Sequence, residues 1–166
     1  MSFPGILKAV KDILIQIKVS ADSSSYGLGA VLMQEHSQVW KPVSFASRAL
    51  TATEMRYAQV EKEALASTWA CERFQDYIIG VDFLLETDHK PLVALLGNKD
   101  LDQLPPRIQR MSMRLMRFKF SVAHVPGKQL ITADTLSRAP QAAIDDVLDQ
   151  EVNAYVNFIM EGFPVR

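Results

Sequence analysis

The chain of 166 residues has one cysteine, Cys71, so no disulfide can form within it and a bridge-stapled secreted scaffold is excluded. Its 3 histidines are scattered, which leaves no Cys/His cluster for a zinc site. No apolar run approaches the ~18 residues that a membrane-spanning helix requires. Near the N-terminus, Lys8 and Lys11 interrupt the apolar residues and no small-residue cleavage site follows, so a signal peptide is not expected. No internal repeat or low-complexity tract occurs. Net charge is only -1, and apolar content is 48%, so disorder driven by charge is also excluded. What remains is a single intracellular domain, cytoplasmic or nuclear, with a tail.

Charge is unevenly distributed. Between Pro105 and Lys128 stand six Lys or Arg and no acid, whereas Ala139 to Arg166 carries five acids and one Arg. Ile13, Ile15, Ile17, Val19 and Ala21 alternate with polar residues, the period of a half-buried strand. Asp22 and the Ser23–Ser25 cluster then form a turn. Two further strands are expected over Gly27–Gln34 and Val39–Ala46, separated by a turn at Glu35–Ser37. Thr51 and Glu54 have capping-box spacing, with Leu50 placed to staple onto Met55. The spacing predicts one helix from there to Ile79, stopped by Gly80. A fourth strand follows at Val81–Asp88, then helices at Pro91–Gly97 and from Pro106 to about Phe118. A fifth strand at Lys119–Val125 and a short helix at Thr132–Arg138 complete the domain.

Three strands joined by short turns make an antiparallel meander. A fourth reached through a helical crossover lies parallel to one of them. The expected fold class is therefore α/β, a mixed five-stranded sheet with the first three strands antiparallel and helices on both faces. Residues 1–12 are a lead-in, 13–139 the domain and 140–166 an acidic amphipathic tail. In the tail, Ile144, Val147, Leu148, Val152, Tyr155 and Ile159 recur at helical spacing. That stripe suits docking on its own domain or on a partner.

Four acids stand out by position. Asp22 and Asp88 end the first and fourth strands, and parallel neighbours would bring both to one sheet edge. Glu63 shares a helix face with Ala66, Ala70 and Phe74, a stripe suited to packing on a sheet. Asp134 opens the last short helix. Each has an ordinary structural reading as a turn, a cap or a helix-border residue. Together, three carboxylates at one edge repel by about 4 kcal/mol per pair at about 4 Å and an effective dielectric near 20. Divalent cations relieve this, and all-oxygen ligands favour Mg²⁺ or Mn²⁺. Two such ions suit in-line displacement at phosphorus, one activating water and one stabilising the leaving oxygen.

Four motifs occur in register: Ala21-Asp22-Ser23-Ser24-Ser25-Tyr26-Gly27-Leu28-Gly29-Ala30-Val31-Leu32, Glu61-Lys62-Glu63-Ala64-Leu65-Ala66, Thr87-Asp88-His89-Lys90-Pro91-Leu92 and Ala133-Asp134-Thr135-Leu136-Ser137-Arg138. With Ser44–Thr51 between them, they resemble the ribonuclease H domain of gypsy-type long-terminal-repeat retrotransposon reverse transcriptases over roughly Ile15–Arg138. The resemblance implies a ribonuclease H fold and hydrolysis of the RNA strand of RNA–DNA hybrids to 3′-hydroxyl and 5′-phosphate ends. It implies two Mg²⁺ ions, with Mn²⁺ as substitute, held by Asp22, Glu63, Asp88 and Asp134. It also implies fusion to polymerase and integrase domains in a longer polyprotein. Cellular ribonucleases H carry a histidine in the loop before the last acid, whereas Gly127–Ala133 contains none, and His124 is expected to be structural.

Expected substrate contacts are Ser23, Ser24 and Gly27 beside Asp22, His89 beside Asp88, and Arg107, Arg110 and Arg114 on one basic helical stripe. The alternative from another class is a catalytically silent ribonuclease H-like module that binds nucleic acid or protein.

Overall fold

The computed structural model describes residues 16–127 together with Thr135 and Arg138. Five strands form one sheet: β1 (Ile17–Ser23), β2 (Gly27–His36), β3 (Val39–Ala49), β4 (Asp82–Thr87) and β5 (Lys119–His124). Their spatial order is β3-β2-β1-β4-β5, with β1/β2 and β2/β3 antiparallel and β1/β4 and β4/β5 parallel. This is the expected meander followed by a parallel addition.

Both meander turns are built by polar side chains and unusual backbone. Ser24 Oγ accepts the N–H groups of Tyr26 and Gly27 at 3.2 and 3.0 Å, while Ser24 N–H donates to Gly27 O at 2.9 Å. At the β2–β3 turn, Ser37 and Gln38 both take positive φ, 51° and 65°. A two-residue hairpin needs that backbone to match strand twist. Without glycine it costs about 1–2 kcal/mol per residue. With the turn confined to these two residues, β2 runs two residues further than the sequence patterning indicates, to His36, while β3 starts at Val39 as expected and runs on to Ala49. On β3, Pro42 sits where the register with β2 shifts, and an edge strand with an irregularity is where proline is tolerated.

The expected helix from Thr51 to Ile79 is corrected to three pieces. The Thr51–Glu54 box forms as expected, with Thr51 N–H donating to Glu54 Oε2 at 2.9 Å and Glu54 N–H to Thr51 Oγ1 at 3.2 Å. It closes only a single 3₁₀ turn, Glu54–Arg56. Tyr57 and Ala58 are extended, and α1 (Gln59–Arg73) starts afresh, with Glu61 reaching back to accept Ala58 N–H at 2.9 Å. Two acids seven residues apart thus organise two separate starts. Phe74, buried at the C-terminal end of α1, leaves helical geometry before α2 (Gln75–Ile78). Gly80, at φ 75°, then turns the chain into β4.

The remaining helices are α3 (Lys90–Gly97) and α4 (Pro106–Leu115), each with proline in its first turn. Helices α1, α3 and α4 share one core over one sheet face. Ile17, Val19, Ala21, Leu28, Ala30, Leu32 and Leu85 meet Ala66, Ala70, Leu92, Ile108, Met111 and Leu115 there. Small alanines along α1 let its backbone approach β1 closely. On the opposite face, Ser20 Oγ donates to Glu86 Oε2 at 2.6 Å and Lys18 Nζ to Glu86 Oε1 at 3.2 Å. Lys18 also lies 4.5 Å over the Trp40 ring. The two Glu86 bonds tie β1 to β4, the strand pair that carries the site. The lead-in, the helix expected at 132–138 apart from helical Thr135 and Arg138, and the tail lie outside the described residues.

Candidate functional site

The parallel register Ser20↔Glu86, continued by two residues, sets Asp22 beside Asp88 at the carboxyl ends of β1 and β4. Across the edge stands Glu63, on the second turn of α1. Its helix face is buried as the alanine stripe implies, with Glu63 itself only 2% exposed. One carboxylate oxygen from each of Asp22, Glu63 and Asp88 lies within 4.8 Å of the other two. Asp134, the fourth expected acid, lies outside the described residues.

Glu63 is held from one side only. Ser23 Oγ donates to Glu63 Oε1 at 2.6 Å, and Gln59 Nε2 donates to the same oxygen at 2.8 Å and to Ser23 Oγ at 3.2 Å. Glu63 Oε2 is buried with no hydrogen-bond partner. Burial, and then the negative charges of Asp22 and Asp88, push the Glu63 carboxyl up to about 8 against the two opposing hydrogen bonds. A buried carboxylate oxygen left unpartnered carries a full desolvation cost. Three hard oxygen donors meeting at this edge are compatible with binding a divalent cation. The residues therefore fit a divalent cation held by Asp22, Glu63 and Asp88.

Gln59 is part of this site and was not singled out by sequence reasoning. Its position one turn before Glu63 was the available signal, but glutamine in a first helical turn is commonplace. The serines expected at the substrate surface are turned inward. Ser23 serves Glu63, Ser24 pins the β1–β2 turn, and Gly27 is buried within that turn. His89 precedes α3, its N–H donating to Thr87 Oγ1 at 3.2 Å beside Asp88.

The basic stripe divides. Arg107 pairs with Glu61 at 2.8 Å and stacks 4.0 Å from the Tyr57 ring. Arg114 grips Glu72 through two bonds of 2.8 and 2.5 Å. Both fasten α4 to α1. Arg110 projects into solvent, and Arg117 lies 4.9 Å from the Phe118 ring.

Comparison with known proteins agrees with this geometry. A family described as the RNase H-like domain found in reverse transcriptase matches residues 13–118. The chain is 38% identical over 120 residues to the retrovirus-related Pol polyprotein from transposon 297 of Drosophila melanogaster. It is 33% identical over 121 residues to that of transposon gypsy from the same organism. Each match covers 72% of this chain but only 11% of the polyprotein, so the chain spans about a tenth of these relatives. Among solved structures, the N-terminal RNase H domain of rv2228c from Mycobacterium tuberculosis, fused to maltose binding protein, aligns with TM-score 0.59 and 16% identity, covering 85% of this chain and 99% of that one. LC11-RNase H1 in complex with RNA/DNA hybrid aligns with TM-score 0.50 and 15% identity, covering 81% and 99%. At these identities the structures establish the fold. With the family match spanning most of the described sheet and these Pol polyproteins as relatives, the chain belongs to the RNase H-like domain family of reverse transcriptases, on the side of the gypsy-type retrotransposons.

Proposed function

We propose that the chain is the nuclease domain of a reverse transcriptase polyprotein and hydrolyses the RNA strand of RNA–DNA hybrids. The observation that carries this reading is the meeting of Asp22, Glu63 and Asp88 within 4.8 Å, with one Glu63 oxygen buried and without a hydrogen-bond partner. Asp22 and Asp88 are delivered by strand ends, and Glu63 by a helix packed rigidly on β1. Ser23 and Gln59 hold the Glu63 carboxylate through Oε1 and leave Oε2 without a hydrogen-bond partner. Asp134, on the matching motif, completes the proposed set. Two divalent cations bound there, Mg²⁺ or Mn²⁺, would neutralise the carboxylates, favour ionisation of the attacking water and stabilise the leaving 3′-oxygen. In the reaction a P–O bond forms to water as the P–O3′ bond breaks. The products are a 3′-hydroxyl and a 5′-phosphate.

Neighbouring residues set access. His89 stands at the rim beside Asp88, and exposed Arg110 is the member of the basic stripe best placed for a backbone phosphate. The direct test is a labelled RNA–DNA hybrid titrated with Mg²⁺ and Mn²⁺, with a DNA duplex as control. Cation-dependent cutting confined to RNA is expected. Binding of the hybrid with no cut strand at any cation concentration would instead identify a silent module, and cutting of the DNA duplex a different nuclease.

Phosphate contact makes its own prediction. Arg110→Ala should weaken hybrid binding and reduce the slope of log K against log salt by about 1. Arg114→Ala should leave that slope unchanged, because its guanidinium is committed to Glu72. Fluorescence anisotropy across a salt series measures both. Equal slope losses in the two variants would show that the Arg114–Glu72 pair opens to nucleic acid.

A further inference from the structure

We propose that the segment leaving β5, His124–Gly127, is the device that aims Asp88, and that position 127 must carry no side chain for it to do so. Asp88 lies one residue beyond β4, whose last ladder pair is Thr87↔His124. Strand pairing alone therefore does not fix it. The β5 exit does. Val125 N–H donates to Thr87 O at 2.9 Å, and His124 Nε2 lies 3.1 Å from Asp88 O, so His124 holds the backbone on one side of the acid. On the other, His89 N–H is bound by Thr87 Oγ1. Pro126 then ends the ladder, since it has no N–H to donate, and the chain turns in over the acid.

Gly127 arrives so close that a Cβ there would stand 3.1 Å from Asp88 Oδ2, with Asp88 Cβ and Cγ at 3.9 and 4.0 Å. Gly80 and Gly97 have nothing within 4 Å of the same position. Gly127 does not sit at the positive φ that favours glycine, unlike Gly80. Space, not backbone freedom, is what glycine supplies. With the backbone of Thr87–His89 bonded on both sides, an added methyl must be met by rotation of the Asp88 carboxylate or by lifting of the loop. Either moves Oδ2 relative to Asp22 and Glu63. A side chain at 127 should thus act on the geometry of the acids and leave the core alone.

This inference rests on the reading of Asp88 as a cation ligand, and its test separates the two. Gly127→Ala and the control Gly97→Ala are compared in the full chain, first by Mn²⁺ binding without nucleic acid, then by the ¹³Cγ resonance of Asp88 in the metal-free protein. Gly127→Ala should weaken Mn²⁺ binding roughly tenfold, the scale on which supporting contacts tune metal ligands, with an unchanged melting temperature. Gly97→Ala should match the parent chain. His124→Ala should weaken binding in the same direction, and His124→Gln, which retains an N–H donor, should restore it in part. A Gly127→Ala protein that binds Mn²⁺ like the parent and leaves the Asp88 resonance in place overturns the proposal. A parent chain that binds no Mn²⁺ overturns the cation reading instead, and the Asp88 resonance still decides whether residue 127 positions that acid.

Discussion

Asp88→Asn is expected to remove hydrolysis almost completely, lowering the cleavage rate by about 10³-fold or more, which corresponds to roughly 4 kcal/mol of barrier. The substitution is nearly isosteric and leaves the backbone bonds at Thr87 and Asp88 in place, so the fold should persist. What changes is charge. An amide cannot supply the anionic oxygen that a hard cation needs, and one of the three mutually repelling carboxylates is gone. The metal-free protein should therefore become more stable as the reaction is lost, because Glu63 is relieved of one negative neighbour. Rate on a labelled hybrid and melting temperature without cation measure the two effects. Loss of activity with loss of stability would mean that Asp88 serves mainly to cap α3. Full activity in Asp88→Asn would remove it from the reaction.

That opposition between stability and function explains which parts of the molecule could be read from the sequence. Asp22 and Asp88 were legible because strand ends and one crossover force them to the same edge, whatever the side-chain details. Glu63 was legible because alanines at its helix positions leave only an inward direction for that face. The break at Tyr57 was not. Neither Tyr57 nor Ala58 disfavours helix strongly, and Tyr57 packs on the core and under Arg107 from a distant helix. The same non-locality hid the Arg114–Glu72 pair, which turns half of an apparent phosphate-binding stripe into an interhelical clamp. Gln59 and Gly127 act through a neighbour's carboxylate, and their immediate sequence, a first-turn glutamine and a glycine after proline, is commonplace. Local patterning specified the scaffold and the charges. The contacts that aim those charges come from residues distant in the chain.

Glu63 gives the second large effect, visible without any substrate. In the metal-free protein its carboxyl is pushed up to about 8, chiefly by burial, from an ordinary 4.5. Between those values the folded chain keeps a proton that the unfolded chain has released. Folding stability from this group is therefore fully present below about pH 4.5 and falls as pH rises, until it is lost above about 8. Over the whole interval the loss is on the order of 4 kcal/mol. Glu63→Gln cannot titrate and keeps an oxygen to accept from Ser23 and Gln59. At pH 5 it should melt close to the parent, and at pH 8 roughly 10 °C above it. Every other titratable group is common to the two proteins, so the difference between the two curves isolates Glu63. Divalent cation competes with the proton for the same oxygens. Millimolar Mn²⁺ should accordingly raise the parent's melting temperature more at pH 8 than at pH 5, and do little for Glu63→Gln. Parallel melting curves for parent and variant from pH 5 to 8.5 would show that Glu63 is ionised throughout. The buried, unpartnered oxygen would then have found water or a proton donor, and the argument for a cation at this edge would lose its main support.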